Sequence, residues 1–170
     1  SRILDLCAAL GGKSFTAALL MENCGEILAF DIYEKRVKLI KNGAKRLGIS
    51  CICAKQGNAA EYTEALGVFD AVICDVPCSG LGVLRRKPEL KYKTEEQLDL
   101  PSLEKTQAEI LGNAARYVKA GGKILYSTCT LRKAENEGQI KSFLDKHGTF
   151  AVQYEYAYLP HIDNTDGFYC

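Results

Sequence analysis

Two hydrophobic periods alternate along this chain. Residues 3–6 form a short apolar run broken only by Asp5, which reads as a strand. Residues 13–24 carry a helical pattern that Gly25 stops. Residues 26–31 predict a second strand. Residues 33–47 predict a helix whose apolar stripe is Val37, Ile40, Ala44 and Leu47, closed by Gly48. A third strand is expected at 49–54. A fourth, at 70–75, is apolar on both faces, as a central parallel strand should be. A long helix follows at 94–119, interrupted or restarted near Pro101 and ended by Gly121 and Gly122. A strand at 123–127, a helix at 134–147 and a sixth strand at 151–158 complete the pattern. Such alternation predicts an α/β fold, a mostly parallel twisted sheet with helices on both faces.

Composition narrows the class. A chain of 170 residues is one domain by length and can bury a sizeable core. Its 22 basic and 21 acidic side chains give a net charge of +1. That balance argues against a generally basic nucleic-acid coat and leaves room for a local basic patch. No apolar run approaches the ~18 residues of a membrane span. No secretory leader precedes the first strand, so the expected location is cytoplasmic. Of the eight cysteines, Cys51, Cys53 and Cys74 lie inside strand-like runs, which favours free thiols in a reducing compartment. Cys51-x-Cys53 and the Cys74–Cys78 spacing do not match zinc knuckles, and His147 and His161 are remote, so no structural metal is expected. The first strand begins almost at residue 1, and 167–169 begin to look like a further strand where the chain stops. The expectation is a piece truncated at both ends.

In open parallel sheets, ligands bind beyond the carboxyl ends of the strands, and the notable residues fall there. After the first strand come Asp5, Leu6, Cys7, Ala8, Ala9, Leu10, Gly11, Gly12 and Lys13. Small residues and glycines let backbone approach a ligand, and the next helix offers its N-terminus. Asp31 ends the second strand, where a carboxylate can accept from ribose hydroxyls. Asn58 follows the third, Asp75 ends the fourth, and Cys129 lies just past the fifth. A P-loop needs glycine where Cys7 stands, and no G-x-G-x-x-G fingerprint is present. A ribose-type acidic residue without a phosphate fingerprint suits S-adenosylmethionine, although a plain tight turn would look similar. For Cys24, Cys51, Cys53 and Cys74, burial as a small hydrophobe is the simple reading. Cys78, after Pro77 in a Gly/Ser-rich loop, and Cys129 differ. Two thiols and a carboxylate beside a methyl donor suggest covalent chemistry on an electrophilic ring.

The segment 5–13 resembles the D-x-C-A-A-P-G-G-K motif of RNA cytosine-5 methyltransferases. The segment 75–82 resembles D-A-P-C-S-G-x-G, and 126–130 with Glu135-Asn136-Glu137 resembles Y-S-T-C-[ST] followed by E-N-E. Residues 80–91 look like the bacterial Sun/Fmu branch, which methylates small-subunit ribosomal RNA, and 165–168 resemble the T-D-G-F of its last hairpin. The resemblance implies a Rossmann-like S-adenosylmethionine-dependent methyltransferase fold over 1–170, a single catalytic domain. It also implies a separate N-terminal RNA-binding domain that this chain does not include. By the same resemblance, residues 7–13 and Asp31 bind the cofactor, Asn58 lies near the adenine, and Asp75 lines both cofactor and cytosine. Cys129 is then the nucleophile and Cys78 assists release. Leu10 replaces the family proline and Asn58 replaces an acidic residue. The basic run Arg85, Arg86, Lys87, Lys91 and Lys93, with Tyr92, is a candidate phosphate-binding segment. The partner implied is RNA, from the small ribosomal subunit, with the protein a monomer. Other RNA targets, transfer RNA or large-subunit RNA, and a weakly catalytic cofactor-binding or ribosome-assembly module are the alternatives.

Overall fold

The apolar runs become strands where neighbours can cover both faces. A computed structural model of the chain describes residues 1–170, Glu95 by its backbone alone. The elements are β1 (Arg2–Asp5), α1 (Gly12–Leu20), β2 (Glu26–Asp31), α2 (Glu34–Arg46), β3 (Ile52–Gln56) and β4 (Phe69–Asp75). They continue as α3 (Glu95–Leu98), α4 (Leu100–Tyr117), β5 (Val118–Ser127), α5 (Glu137–Lys146), β6 (Ala157–Tyr158), α6 (Pro160–Asp163) and β7 (Phe168–Tyr169). Among the described residues, no helix is long and apolar enough to cross a membrane.

The chain divides into two compact units. The first comprises 1–75 and 112–125, the second 76–111 and 126–170. Helix α4 and strand β5 run through the division.

In the first unit the sheet order is β3-β2-β1-β4-β5. Pairing is parallel between β1 and β2, β1 and β4, and β2 and β3. The register sets Asp5 beside Ala29 and Ile73, and Asp31 beside Gln56. The carboxyl ends of these parallel strands therefore share one edge. The order reverses at β1, which has β2 on one side and β4 on the other, so its outgoing loop lies at the switch point where such folds bind ligands. The expected stripe of α2 packs inward through Val37, Ile40 and Ala44. Val37 and Ile40 are fully buried against Ala29, Ala54 and Ala8. Each such side chain stabilises the fold by roughly 1.5–3 kcal/mol.

Several predicted boundaries move. Helix α1 ends at Leu20 rather than at residue 24, because Glu22 and Asn23 turn left-handed, with φ of 52° and 58°. The Asn23 side chain then accepts from the Ser50 and Cys51 amides, tying that turn to the approach to β3. Strand β3 starts at Ile52 rather than at residue 49, because the Ile49 amide still bonds back to Ala44 in α2. The expected break near Pro101 is present: Asp99 is left-handed and α4 restarts at Leu100. That helix ends at Tyr117, and Gly121 and Gly122 lie inside β5 rather than terminating the helix.

In the second unit, the predicted strand at 151–158 is regular only at β6. It pairs antiparallel with β7 in a separate two-stranded sheet instead of joining the main one. Tyr154 and Tyr156 of this stretch stay exposed, so its alternating pattern has little core to face. Tyr169 in turn exchanges backbone hydrogen bonds with Thr128, both 3.1 Å.

Candidate active site

In the first unit the loop after β1 is pinned by its own backbone. The Leu6 amide donates to the Ile73 carbonyl at 2.9 Å and the Ala8 amide to the Phe30 carbonyl at 2.7 Å. Ala8 is buried and Leu10 is largely exposed. The Ala9–Leu10 peptide bond is cis. Gly11 has φ +100°, and a Cβ there would stand 2.4 Å from the Phe15 ring. Only glycine serves, and its carbonyl accepts the Phe15 amide to start α1.

Asp5 is fully buried. Its Oδ2 accepts from Ser14 Oγ at 2.6 Å, while Oδ1 has no hydrogen-bond partner. Burial pushes its pKa up to about 6, against the opposing Ser14 hydrogen bond. Burial, and then the carboxylates Asp5, Asp31 and Asp75, push Cys7 up to about 12, so it is a neutral thiol. Asp31 is nearly buried at the end of β2. Its Oδ1 accepts the Tyr33 amide at 2.9 Å, and its Oδ2 lies 3.9 Å from the Arg36 guanidinium. One carboxylate oxygen therefore keeps most of its accepting capacity. Lys13 Nζ pairs with Asp75 Oδ2 at 2.7 Å. Asn58 is occupied at both ends: Nδ2 donates to Glu61 at 2.8 Å and Oδ1 accepts the Ala60 amide at 3.1 Å.

In the second unit the two singled-out thiols meet. Cys78 Sγ lies 3.2 Å from Cys129 Sγ, and the Cys129 amide donates to Cys78 Sγ at 3.3 Å. The hydrogen bond to Cys129, and after it burial, raises the Cys78 pKa, so Cys78 keeps its proton. The Gly82 amide donates to the Cys129 carbonyl at 2.9 Å, and the Gly82 carbonyl accepts the Gly167 amide at 2.7 Å. A Cβ on Gly82 would fall 2.1 Å from the Gly167 oxygen and 2.8 Å from the Cys129 oxygen.

Around the thiols lies a buried polar network whose members carry no individual role in the sequence reading. Glu135, fully buried, accepts from the Ser79 amide, Ser79 Oγ and Gln107 Nε2 at 2.9, 2.6 and 3.0 Å. Ser79 Oγ also meets Thr130 Oγ1 at 2.8 Å. Asn136 accepts from Thr128 Oγ1 at 2.6 Å and donates to the Thr130 carbonyl at 2.9 Å. The available signal was the E-N-E resemblance, which marks these positions without saying what they touch.

The basic run divides in two. Arg85 and Arg86 turn back onto the buried Asp166, at 3.5 and 2.5 Å. The Arg86 contact is a charge pairing without hydrogen-bond alignment. Lys87, Lys91 and Lys93 are exposed, as is Tyr92.

Residues 1–170 match the family model described as 16S rRNA methyltransferase RsmB/F. The probable ribosomal RNA small subunit methyltransferase B of Bacillus subtilis is 39% identical over 186 residues, covering 98% of this chain and 41% of that protein. The ribosomal RNA small subunit methyltransferase B of an Escherichia coli strain is 40% identical over 146 residues, covering 85% of this chain and 33% of that protein. The chain thus spans well under half the length of these relatives. The crystal structure of NSun6 from Pyrococcus horikoshii with SFG superposes with a TM-score of 0.85 at 29% identity, covering 99% of this chain and 47% of that one.

Proposed function

This chain belongs to the 16S rRNA methyltransferase RsmB/F family, and on that premise we propose that it methylates carbon 5 of a cytosine in small-subunit ribosomal RNA through a covalent cysteine adduct. The observation that carries the reading is the 3.2 Å contact between the Cys78 and Cys129 sulfurs. The ribosomal target is supported by the names of the curated relatives.

The first unit is the cofactor half, and its residues fit S-adenosylmethionine. Asp5 Oδ1 is a buried acceptor with no partner, Asp31 Oδ2 is only distantly paired, and Gly11 brings backbone close in. A neighbour solved with SFG, an S-adenosylmethionine analogue, supports that assignment. Residues 7–13 form the cradle, Asp31 takes the ribose, and Asn58 borders the adenine by shape, since its amide is already satisfied. When bound, the cofactor supplies a methyl group from a sulfonium.

The protein's part is to make carbon 5 nucleophilic. The Cys129 thiolate forms a bond to carbon 6, and the electron pair of the 5–6 double bond moves to carbon 5. Asp75 lines both the cofactor and the cytosine. Once carbon 5 carries the methyl group, its proton must go to a base. Cys78 keeps its proton chiefly through Cys129. With the Cys129 sulfur bound to carbon, that cause is gone, and Cys78 gives its proton to water and then accepts the one on carbon 5, so that the reaction releases one proton in all. The returning electron pair re-forms the double bond and expels Cys129 as thiolate. The target base must be unstacked to reach the thiols, and Lys87, Lys91 and Lys93, with Arg85 and Arg86, offer cations to its phosphates.

The test uses the whole protein, a labelled methyl donor and small-subunit RNA, with the modified base mapped. Label at carbon 5 of a cytosine is the expected result. On a denaturing gel, Cys129→Ala should show neither product nor adduct, and Cys78→Ala should show a slow-migrating protein–RNA band. Label on another RNA class, or none, would overturn the target or the activity. The reverse gel pattern would exchange the two thiols.

A further inference from the structure

Two neighbouring side chains divide the polar network between them. The Glu135 carboxylate makes its direct hydrogen bonds on the Cys78 side, with the Arg132 guanidinium 3.6 Å from its Oε2 on the other. Its carboxylate accepts the amide and hydroxyl of Ser79, the residue after Cys78, and Gln107 Nε2, which also donates to the Pro77 carbonyl at 2.9 Å. Asn136 reaches only the Cys129 side. Its amide takes the Thr128 hydroxyl and donates to the Thr130 carbonyl, the residues flanking Cys129. The Tyr126 hydroxyl fixes the backbone between them by donating to the Glu135 carbonyl at 2.7 Å.

The direction of the hydroxyl chain follows from the acceptor at its end. A carboxylate at 2.6 Å takes the Ser79 proton. Ser79 Oγ must then accept from Thr130 Oγ1. Thr130 Oγ1 in turn accepts the Arg132 amide at 3.3 Å. The two thiol loops are thereby joined by a chain of hydrogen bonds with one sense, anchored on Glu135. Glu135, Asn136, Ser79, Gln107, Thr128 and Thr130 are all buried, so an unmade bond among them would be costly.

We infer that Glu135 and Asn136 are positioning residues with separate duties: Glu135 sets Cys78 for release of the product, and Asn136 sets Cys129 for addition to the base. The inference rests on the thiol roles given above. It predicts opposite outcomes for two adjacent residues, which a merely structural role would not produce.

The test scores turnover and covalent RNA in the whole protein. Cys78→Ala and Cys129→Ala serve as references, and folding is checked by thermal melts. Glu135→Ala should lower kcat about 100-fold, the scale of an ångström-sized misplacement, leave KM for the cofactor unchanged, and accumulate adduct as Cys78→Ala does. Asn136→Ala should lower kcat comparably and form no adduct. Glu135→Gln, which keeps the shape and one acceptor oxygen, should fall between Glu135→Ala and the natural protein. Should Glu135→Ala not fold, Ser79→Ala decides, because it removes a single hydroxyl from the same chain and should accumulate adduct. If Cys78→Ala traps RNA but Glu135→Ala and Ser79→Ala do not, the positioning inference fails. If Asn136→Ala traps adduct as Glu135→Ala does, it also fails. If Cys78→Ala itself traps nothing, the thiol roles fail first, and the variants report on that instead.

Discussion

The cofactor-loop region of the first unit and the thiol loops of the second treat their buried polar atoms in opposite ways. In the first, Asp5 Oδ1 has no hydrogen-bond partner and Asp31 Oδ2 has only an arginine at 3.9 Å. In the second, both oxygens of Glu135 and both ends of the Asn136 amide are engaged around the thiols. A half that binds a ligand keeps acceptors in reserve for the ligand's own donors. A half that makes and breaks bonds must be fixed before the substrate arrives, because reorganisation during reaction adds to the barrier. The contrast predicts that the second unit tolerates changes of shape poorly, and that the first responds to ligand and pH.

The largest effect is expected at Gly82. Its would-be Cβ meets backbone oxygens of both Gly167 and Cys129, so Gly82→Ala must move main chain rather than a flexible side chain. It should cost about 3 kcal/mol of stability and most of the turnover, measured by denaturant unfolding and single-turnover methylation. Normal turnover in Gly82→Ala would mean that the thiol half is looser than its hydrogen bonds imply.

How much of this was legible in the sequence differs between the halves for the same reason. Strand β2 and helix α2 were readable because period and burial agree over several residues, and the stripe at Val37, Ile40 and Ala44 packs as expected. The segment 151–158 misled because alternation marks a strand's faces without naming its partner, and only Ala157 and Tyr158 found one, in β7. Cys78 and Cys129 stood out by motif. The Glu135 contacts did not, since Ser79 lies 56 positions away and only the folded chain brings the two together.

In the first unit, Asp31→Ala should weaken cofactor binding by about 1–3 kcal/mol, the cost of losing a buried charged acceptor. Calorimetry with S-adenosylhomocysteine measures it. At saturating cofactor, kcat should change little, since the thiol network is untouched. Unchanged affinity would remove Asp31 from the ribose and weaken the idea of reserved acceptors.

Asp5 sharpens the same point through pH. Folding raises its pKa from 3.8 to about 6, so the folded state favours the protonated acid. Its contribution to stability is complete below about pH 4 and is lost as pH rises through about 6. Asp5→Asn, neutral at every pH and still able to accept from Ser14, should gain on the natural protein by about 2–3 kcal/mol between pH 4 and pH 7. Denaturant unfolding of both proteins across that range tests this. A difference independent of pH would show that Asp5 stays ionised and that a partner satisfies it in solution.

The smallest effect concerns the surface of the second unit, where the basic run is split. Arg85 and Arg86 are directed at the buried Asp166, and removing them would strip a carboxylate of its counter-charge and confuse stability with binding. Lys87, Lys91 and Lys93 extend into solvent, so their removal tests RNA binding alone. Every lysine–phosphate pairing removed from a single strand should flatten the slope of log affinity against log salt by about 0.7. Replacing the three lysines by alanine should therefore lower the slope by about 2, with stability unchanged within about 0.5 kcal/mol. Filter binding of small-subunit RNA over a salt series gives the slope, and a melt gives the stability. A slope that does not move would take the lysines off the RNA path. The two arginines would then be the only cations of this run left for the phosphates, and binding would compete directly with their hold on Asp166.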